Sequence, residues 1–236
     1  MEAKNKIVEA IILAAGLIVL GFSIKAGMDN FTNKDRKVTV KGLSEVEMPA
    51  DKVTWPIVLK EVGNDLPTLY NRIKSINNTV TEFLTSSGIS ESEISINAPQ
   101  VIDLNAERYG NNDNRYRYNI TTVITVTSAK VDLVRNIMDR QGELLKDGIA
   151  IVDGGYDTPH TSYEFTAFQE AKTAMMEEAI KNAQVTANQF AESSNSKLGA
   201  IVSATQGQFS IEDRDQNTPY IKKLRVVTTI TYSLKN

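Results

Sequence analysis

The chain holds one histidine, His160, inside Asp157-Thr158-Pro159-His160-Thr161. Asp153 and Asp157 lie just before it and Glu164 just after. A histidine among carboxylates can act as a general base or hold a metal, provided its partners come within hydrogen-bond reach. A single histidine with scattered carboxylates is a weak metal signal, and a loop or capping role suits His160 better. Glu212, Asp213 and Asp215 could hold calcium loosely, but they lack the glycine-containing spacing of an EF-hand loop. There is no Gly-x-Ser-x-Gly, His-Glu-x-x-His, Walker or Gly-x-Gly-x-x-Gly motif, and Gly154-Gly155 reads as backbone punctuation. The absence of cysteine excludes disulfides, thiol catalysis and Cys-ligated metal. The expectation is a protein that is not an enzyme, with no catalytic residue, no cofactor and no metal.

Arg108, Tyr109, Arg115, Tyr116, Arg117 and Tyr118 form the second candidate group, on either side of Gly110-Asn111-Asn112-Asp113-Asn114. Interleaved cations and aromatics can stack nucleic-acid bases, and Tyr and Arg also favour protein interfaces. The net charge of −3 offers no basic excess to attract nucleic acid, so no nucleic-acid partner is expected. Either a projecting hairpin touches a neighbouring subunit or a plain exposed hairpin stands there.

The elements that must position these groups follow from periodicity. Residues 37–46 alternate, as do 51–62, where Val53, Trp55, Ile57 and Leu59 share one face. Pro56 cannot donate a ladder hydrogen bond, so a sheet edge or a bulge is expected there. Leu69, Ile73, Ile76, Val80, Phe83 and Leu84 predict a helix over 66–87, stopped by Gly88. Strands are expected at 91–97, 100–109 and 115–127, with the Gly110-to-Asn114 tip as a hairpin loop. A second amphipathic helix is expected over 130–146, then a strand at 148–153. A long helix over 163 to about 193 carries Ala171, Met175, Ala179, Ala183, Ala187 and Ala191 at steps of four. Such small residues let another element approach closely, whether its own sheet or a second subunit. Strands at 198–208 and 222–234, with a polar loop at 211–220, close the chain. The fold class is therefore α+β, with mixed or antiparallel sheets packed by three amphipathic helices. Two lobes, about 37–127 and 128–236, are one way to divide it.

Before this domain stands a polar head, 1–9, and then Ala10–Ile24, which is 15 residues without a charge, closed by Lys25. A full span takes about 20 apolar residues, and 10–14 is typical of a signal-peptide core. Counting from Ile7 gives 18, with Glu9 near one end, where it could reach the headgroups. Ser23-Ile24-Lys25-Ala26-Gly27 is a poor cleavage site. Three readings stand: a retained signal anchor, a cleaved signal peptide, or a buried core helix. The anchor reading takes 1–27 as a membrane helix with Ala10, Ile11, Ile12, Leu13, Leu17, Ile18, Val19, Leu20 and Phe22 in lipid, and 28–36 as linker. Lysines and arginines flank both sides, so charge does not settle orientation. Export of the following domain is the commoner outcome for such a segment.

The run Val38-Thr39-Val40-Lys41-Gly42-Leu43-Ser44-Glu45-Val46, followed by Pro49-Ala50-Asp51-Lys52-Val53, resembles the opening of the SIMPL domain. There an Ile/Val-x-Val-x-Gly-x-Gly/Ser-Glu-Val strand leads through a proline turn into a second strand. Leu84 to Ile89, Ile94-Ser95-Ile96, Tyr118 and the alanine-spaced third helix running into Leu198-Gly199 are similar to the same family. The likeness covers about 37–235. At Ser193-Ser194-Asn195-Ser196 the chain departs from it, since the family often has glycine there. The resemblance implies a bacterial envelope protein, mostly periplasmic or surface-associated. Some members are described as immunogenic, some are linked to oxidative-stress tolerance, and some build hollow or channel-like homo-oligomers. It brings no catalytic residues. The expected partners are the membrane, through the N-terminal helix, and further copies of the chain. Pro56, Arg108, Tyr109, Arg115, Tyr116, Arg117, Ala179, Ala183 and Ala187 are the candidate contact residues. A periplasmic module that binds a small ligand or a protein is the alternative.

Overall fold

The computed structural model describes residues 2–33, 36–106, 115–152 and 159–235. It opens with α1 (Glu2–Asn33), β1 (Lys37–Pro49), β2 (Lys52–Gly63) and α2 (Leu66–Ser86). A 3-10 turn (Glu91–Glu93) leads into β3 (Ile94–Ile96), β4 (Gln100–Asp103) and β5 (Tyr118–Ser128). Then come α3 (Val131–Asp139), α4 (Gly142–Lys146), β6 (Ser162–Glu164), α5 (Phe168–Ser193), β7 (Lys197–Asp213) and β8 (Ile221–Lys235). The strands form two antiparallel sheets, so the class is α+β. Among the described residues no helix is long and apolar enough to cross a membrane. The N-terminal element expected from the sequence is thus a helix, and not a span within those residues.

Two compact units divide the chain: 1–46, 169–210 and 224–236 in one, 47–168 and 211–223 in the other. A boundary near residue 127, one of the divisions the sequence suggested, falls inside β5 instead. The strands that meet are far apart in sequence, and this is what interleaves the units.

In the second unit β2 pairs with β5 from Val53↔Ser128 to Gly63↔Tyr118. Val53, Trp55, Ile57 and Leu59 share the face that carries Ile124 and Val126, because alternate side chains point the same way. Burial of this face against α2, α3 and α4 makes the larger core. Helix α2 begins at Asp65, whose carboxylate accepts the Thr68 amide at 3.0 Å. It ends in a Schellman turn: the Ile89 amide donates to the Leu84 carbonyl at 3.1 Å, across Gly88 at φ 102°. The helix expected over 130–146 breaks into α3 and α4. The Arg140 and Gln141 amides turn back to the carbonyls three residues earlier, and Gly142 is a poor helix former. The strand expected at 148–153 is, in its described part, a single bridge of Ile151 to Leu59. Residues 91–93 are a 3-10 turn rather than strand, with Ser90 and Glu93 in a capping box.

Tyr163 and Glu164 were expected to open the long helix and instead, with Ser162, pair with β2, Tyr163 opposite Val53. Tyr163 reaches the core, 6.1 Å from the Tyr220 ring, and that burial outweighs local helix preference. The Asp51 carboxylate then receives the Thr166 amide at 2.7 Å and the Ala167 amide at 2.8 Å, just before the first turn of α5.

In the first unit the sheet order is β1-β8-β7. Ala183 and Ala187 of α5 pack with Val40, Ile230 and Tyr232. The approach is closest at Gly42, where a Cβ would stand 1.8 Å from the Ala179 carbonyl oxygen. Ser44 donates to Glu178 at 2.7 Å, and Asn182 donates to the Leu43 carbonyl at 2.8 Å. At the end of α5 Asn195 takes φ 50°, and the Ser196 amide closes on the Ala191 carbonyl at 2.8 Å. Asparagine tolerates the left-handed region better than other non-glycine residues, so the glycine-free turn still forms. Strand β7 continues to Asp213, further than the sequence pattern suggests.

Candidate functional site

Four places carry the residues singled out by sequence. The first is α1. The side chains of Ala10 and Ile11 lie outside the described set. Ile12, Leu13, Leu17, Ile18, Val19, Leu20, Phe22 and Ile24 are between 55% and 68% exposed. They occur at successive positions rather than at one helical spacing, so the apolar surface runs all round the helix.

The second is the basic, aromatic group. Arg108 and Tyr109 lie outside the described residues. The Arg117 guanidinium binds Asp103 at 2.9–3.2 Å and stands 4.9 Å over the Tyr118 ring. That bond raises the Arg117 pKa above its ordinary value and lowers that of Asp103. Arg117 is therefore committed within its own unit. Arg115 stands 5.6 Å over the Tyr116 ring, and both are exposed.

The third is the alanine row. Ala179, Ala183 and Ala187 are fully buried by their own chain and are not open to a second subunit. Steps of four on α5 meet β1 and β8, which is the sheet-packing alternative. Pro56 pairs with Thr125 of β5. On its other side β6 reaches only Thr54 and the Ile151 bridge only Leu59, so β2 is open at Pro56 among the described residues. That is the edge expected from a residue without an N–H.

The fourth is the neighbourhood of His160, in the second unit. His160 and Thr161 line a cavity of about 320 Å³ with Trp55, Pro56, Gln141 and Val152. A cavity of about 340 Å³, lined by Asn97, Gln100, Thr121 and Thr125, shares Val58 and Pro159 with it. The described polar groups here, apart from the His160 imidazole, are neutral amides and hydroxyls. Asp153 and Asp157 lie outside the described residues, and Glu164 is paired with Lys52 at 3.0 Å. No group of three His, Cys, Asp or Glu able to hold a metal occurs among the described residues. The acidic run is also occupied. Asp213 pairs with Lys222, and Asp215 accepts the Asn217 and Thr218 amides at 2.8 Å. The Thr218 hydroxyl, with Arg214 and the two amides, outweighs desolvation and holds the Asp215 pKa down to about 2.

Sequence reasoning expected a strand at 198–208 but did not single out β7 as a contact surface. From Leu198 to Ile211 it runs 14 residues without a charge, a signal present in the sequence but meaningful only once β7 is an edge.

The family model described as SIMPL, a protein of unknown function (DUF541), matches residues 38–230. No curated protein matches the chain.

Proposed function

The chain belongs to the SIMPL family, and from that premise we propose that it is a non-enzymatic protein of the bacterial cell envelope. In this reading α1 anchors it in the inner membrane, and the SIMPL domain assembles in the periplasm into a cage- or channel-like homo-oligomer. The observation that carries the proposal is the uncovered apolar surface of α1, more than half exposed at each large side chain from Ile12 to Ile24. A monomer in water rarely leaves so continuous a patch open. The charge-free run is 15 residues, about 22 Å of helix at 1.5 Å per residue. Extension to Ile7 makes 18, about 27 Å, still short of the roughly 30 Å of a bilayer core. Anchors gather the domains on one surface and raise their effective concentration, so weak contacts between domains suffice. Envelope stress protection is the cellular role that fits such an assembly and the family's character.

Light scattering on full-length protein extracted in detergent tests this, beside a shortened chain starting at Asn30. A large, defined oligomer that shrinks without α1 supports the proposal. A strict monomer at micromolar concentration in both forms refutes it.

The two cavities beside His160, whose other described polar groups are neutral, favour a second reading, a periplasmic module for a small polar ligand. A lining of amides and hydroxyls together with Val58 suits such a ligand. A ligand screen read by melting temperature tests it, since binding to the folded state raises stability.

A further inference from the structure

We propose that β7 is a self-pairing edge, and that the strand completing the β1-β8-β7 sheet is β7 of a second copy. The inference rests on the homo-oligomer reading and names its contact surface.

β7 is an end strand of its sheet among the described residues. An end strand presents a row of unpaired N–H and C=O groups, and proteins that stay single blunt such edges with charges, proline or short length. β1, at the opposite end, is blunted: Lys37, Lys41, Glu45 and Glu47 lie along it. In the other sheet, β4 is four residues and β6 three. β7 has none of these protections. It is 17 residues long, without a charge or a proline from Leu198 to Ile211.

Exposure points to the contact stretch. Residues 200–206, Ala-Ile-Val-Ser-Ala-Thr-Gln, are exposed at every position, so neither face of the strand is covered there. Ile201 is 54% and Val202 50% exposed, one on each face. Among the described residues only the strand's backbone edge towards β8 is occupied.

The occupant follows from the residue pattern. An antiparallel pair about a two-fold axis sets each residue opposite its mirror in the stretch. Centred on Ser203, it places Val202 opposite Ala204, Ile201 opposite Thr205 and Ala200 opposite Gln206. Small and β-branched residues meet, and no like charges oppose, where a charged edge would repel its own copy. Main-chain hydrogen bonds supply the attraction, as in strand addition generally.

The chain has no cysteine, so single cysteines can be placed along the stretch without background. The full-length protein is made with Ile201→Cys, Val202→Cys, Ser203→Cys, Ala204→Cys or Thr205→Cys and oxidised in the membrane extract. Each step away from the two-fold axis separates the two copies of a residue by about 7 Å along the strands, twice the rise per residue. The expected result is a dimeric cross-link at Ser203 or an immediate neighbour, lost two positions away on either side. Ser203→Lys then sets two cations against each other and lowers the scattering mass, while Ser203→Thr retains it.

Oligomeric wild-type protein with no cross-link in the scan, and an unchanged mass for Ser203→Lys, overturns the edge and leaves the oligomer reading standing. Monomeric wild-type protein overturns both. Cross-linking to a different polypeptide overturns the choice of a second copy as occupant. Equal cross-linking at all five positions marks random collision and also overturns it.

Discussion

Replacing Gly42 with alanine is expected to drive β1 and α5 apart. The added Cβ would lie 1.8 Å from the Ala179 carbonyl oxygen and 2.7 Å from the Ala183 amide nitrogen. Both are backbone atoms of a helix interior, so no rotamer change makes room. To reach 3.0 Å, the strand and helix must separate by at least about 1.2 Å, which loosens a core packed to crystal-like density. The contacts at risk are Val40 against Ala183 and Ala187, the Ser44–Glu178 bond and the Asn182–Leu43 bond. Overpacking typically costs about 1–3 kcal/mol. Backbone neighbours that cannot yield set this case at about 3 kcal/mol or more. For a chain of this size that lowers the melting temperature by about 6–12 °C. The assay is thermal unfolding followed by circular dichroism, with Gly142→Ala as control, since a Cβ at Gly142 meets nothing within 4 Å. Trimming Ala183 to glycine in the Gly42→Ala background should restore little, because only one of the three clashing atoms is a side chain. A Gly42→Ala protein melting within about 2 °C of wild type, which is under 1 kcal/mol, would refute the close approach.

Three more outcomes follow from the same geometry. Burial tends to raise the Asp51 pKa, but the Thr166 and Ala167 donors outweigh it and hold the pKa below the ordinary value. The contribution of Asp51 is therefore complete above about pH 4 and fades as pH falls through the lower folded value. Asp51→Ala should cost about 1 kcal/mol at neutral pH, with a flatter stability curve under acid, both read by denaturant titration. Ile137 is 1% exposed in the larger core. Ile137→Ala should lose about 2–5 kcal/mol by chemical unfolding. Asn195 holds φ 50°, so Asn195→Ala should cost about 1 kcal/mol while Asn195→Gly is neutral or slightly stabilising in the same melts.

Much of this molecule is written locally. The stripe Leu69, Ile73, Val80, Leu84 with Gly88 after it specifies α2 and its stop, because an amphipathic helix and a left-handed cap are properties of neighbouring residues. The alternation of Val53, Trp55, Ile57 and Leu59 specifies a half-buried strand for the same reason. The resemblance to the SIMPL family likewise rested on short motifs such as Val38 to Val46, and the family model matches 38–230. Tertiary contacts decided the rest. Tyr163 and Glu164 became strand because β2 lay beside them, against a helical pattern. The alanine row was compatible with a sheet or a second subunit, and the close pass at Gly42 assigned it to the sheet. The basic and aromatic residues near 117 looked free in sequence, but Asp103, 14 residues away, had taken Arg117. The uncharged run of β7 gained its meaning from the strand order, which left it at an edge. Periodicity reports which face of an element is apolar; which partner covers that face, and which edge stays open, depends on residues that meet only when the chain has folded.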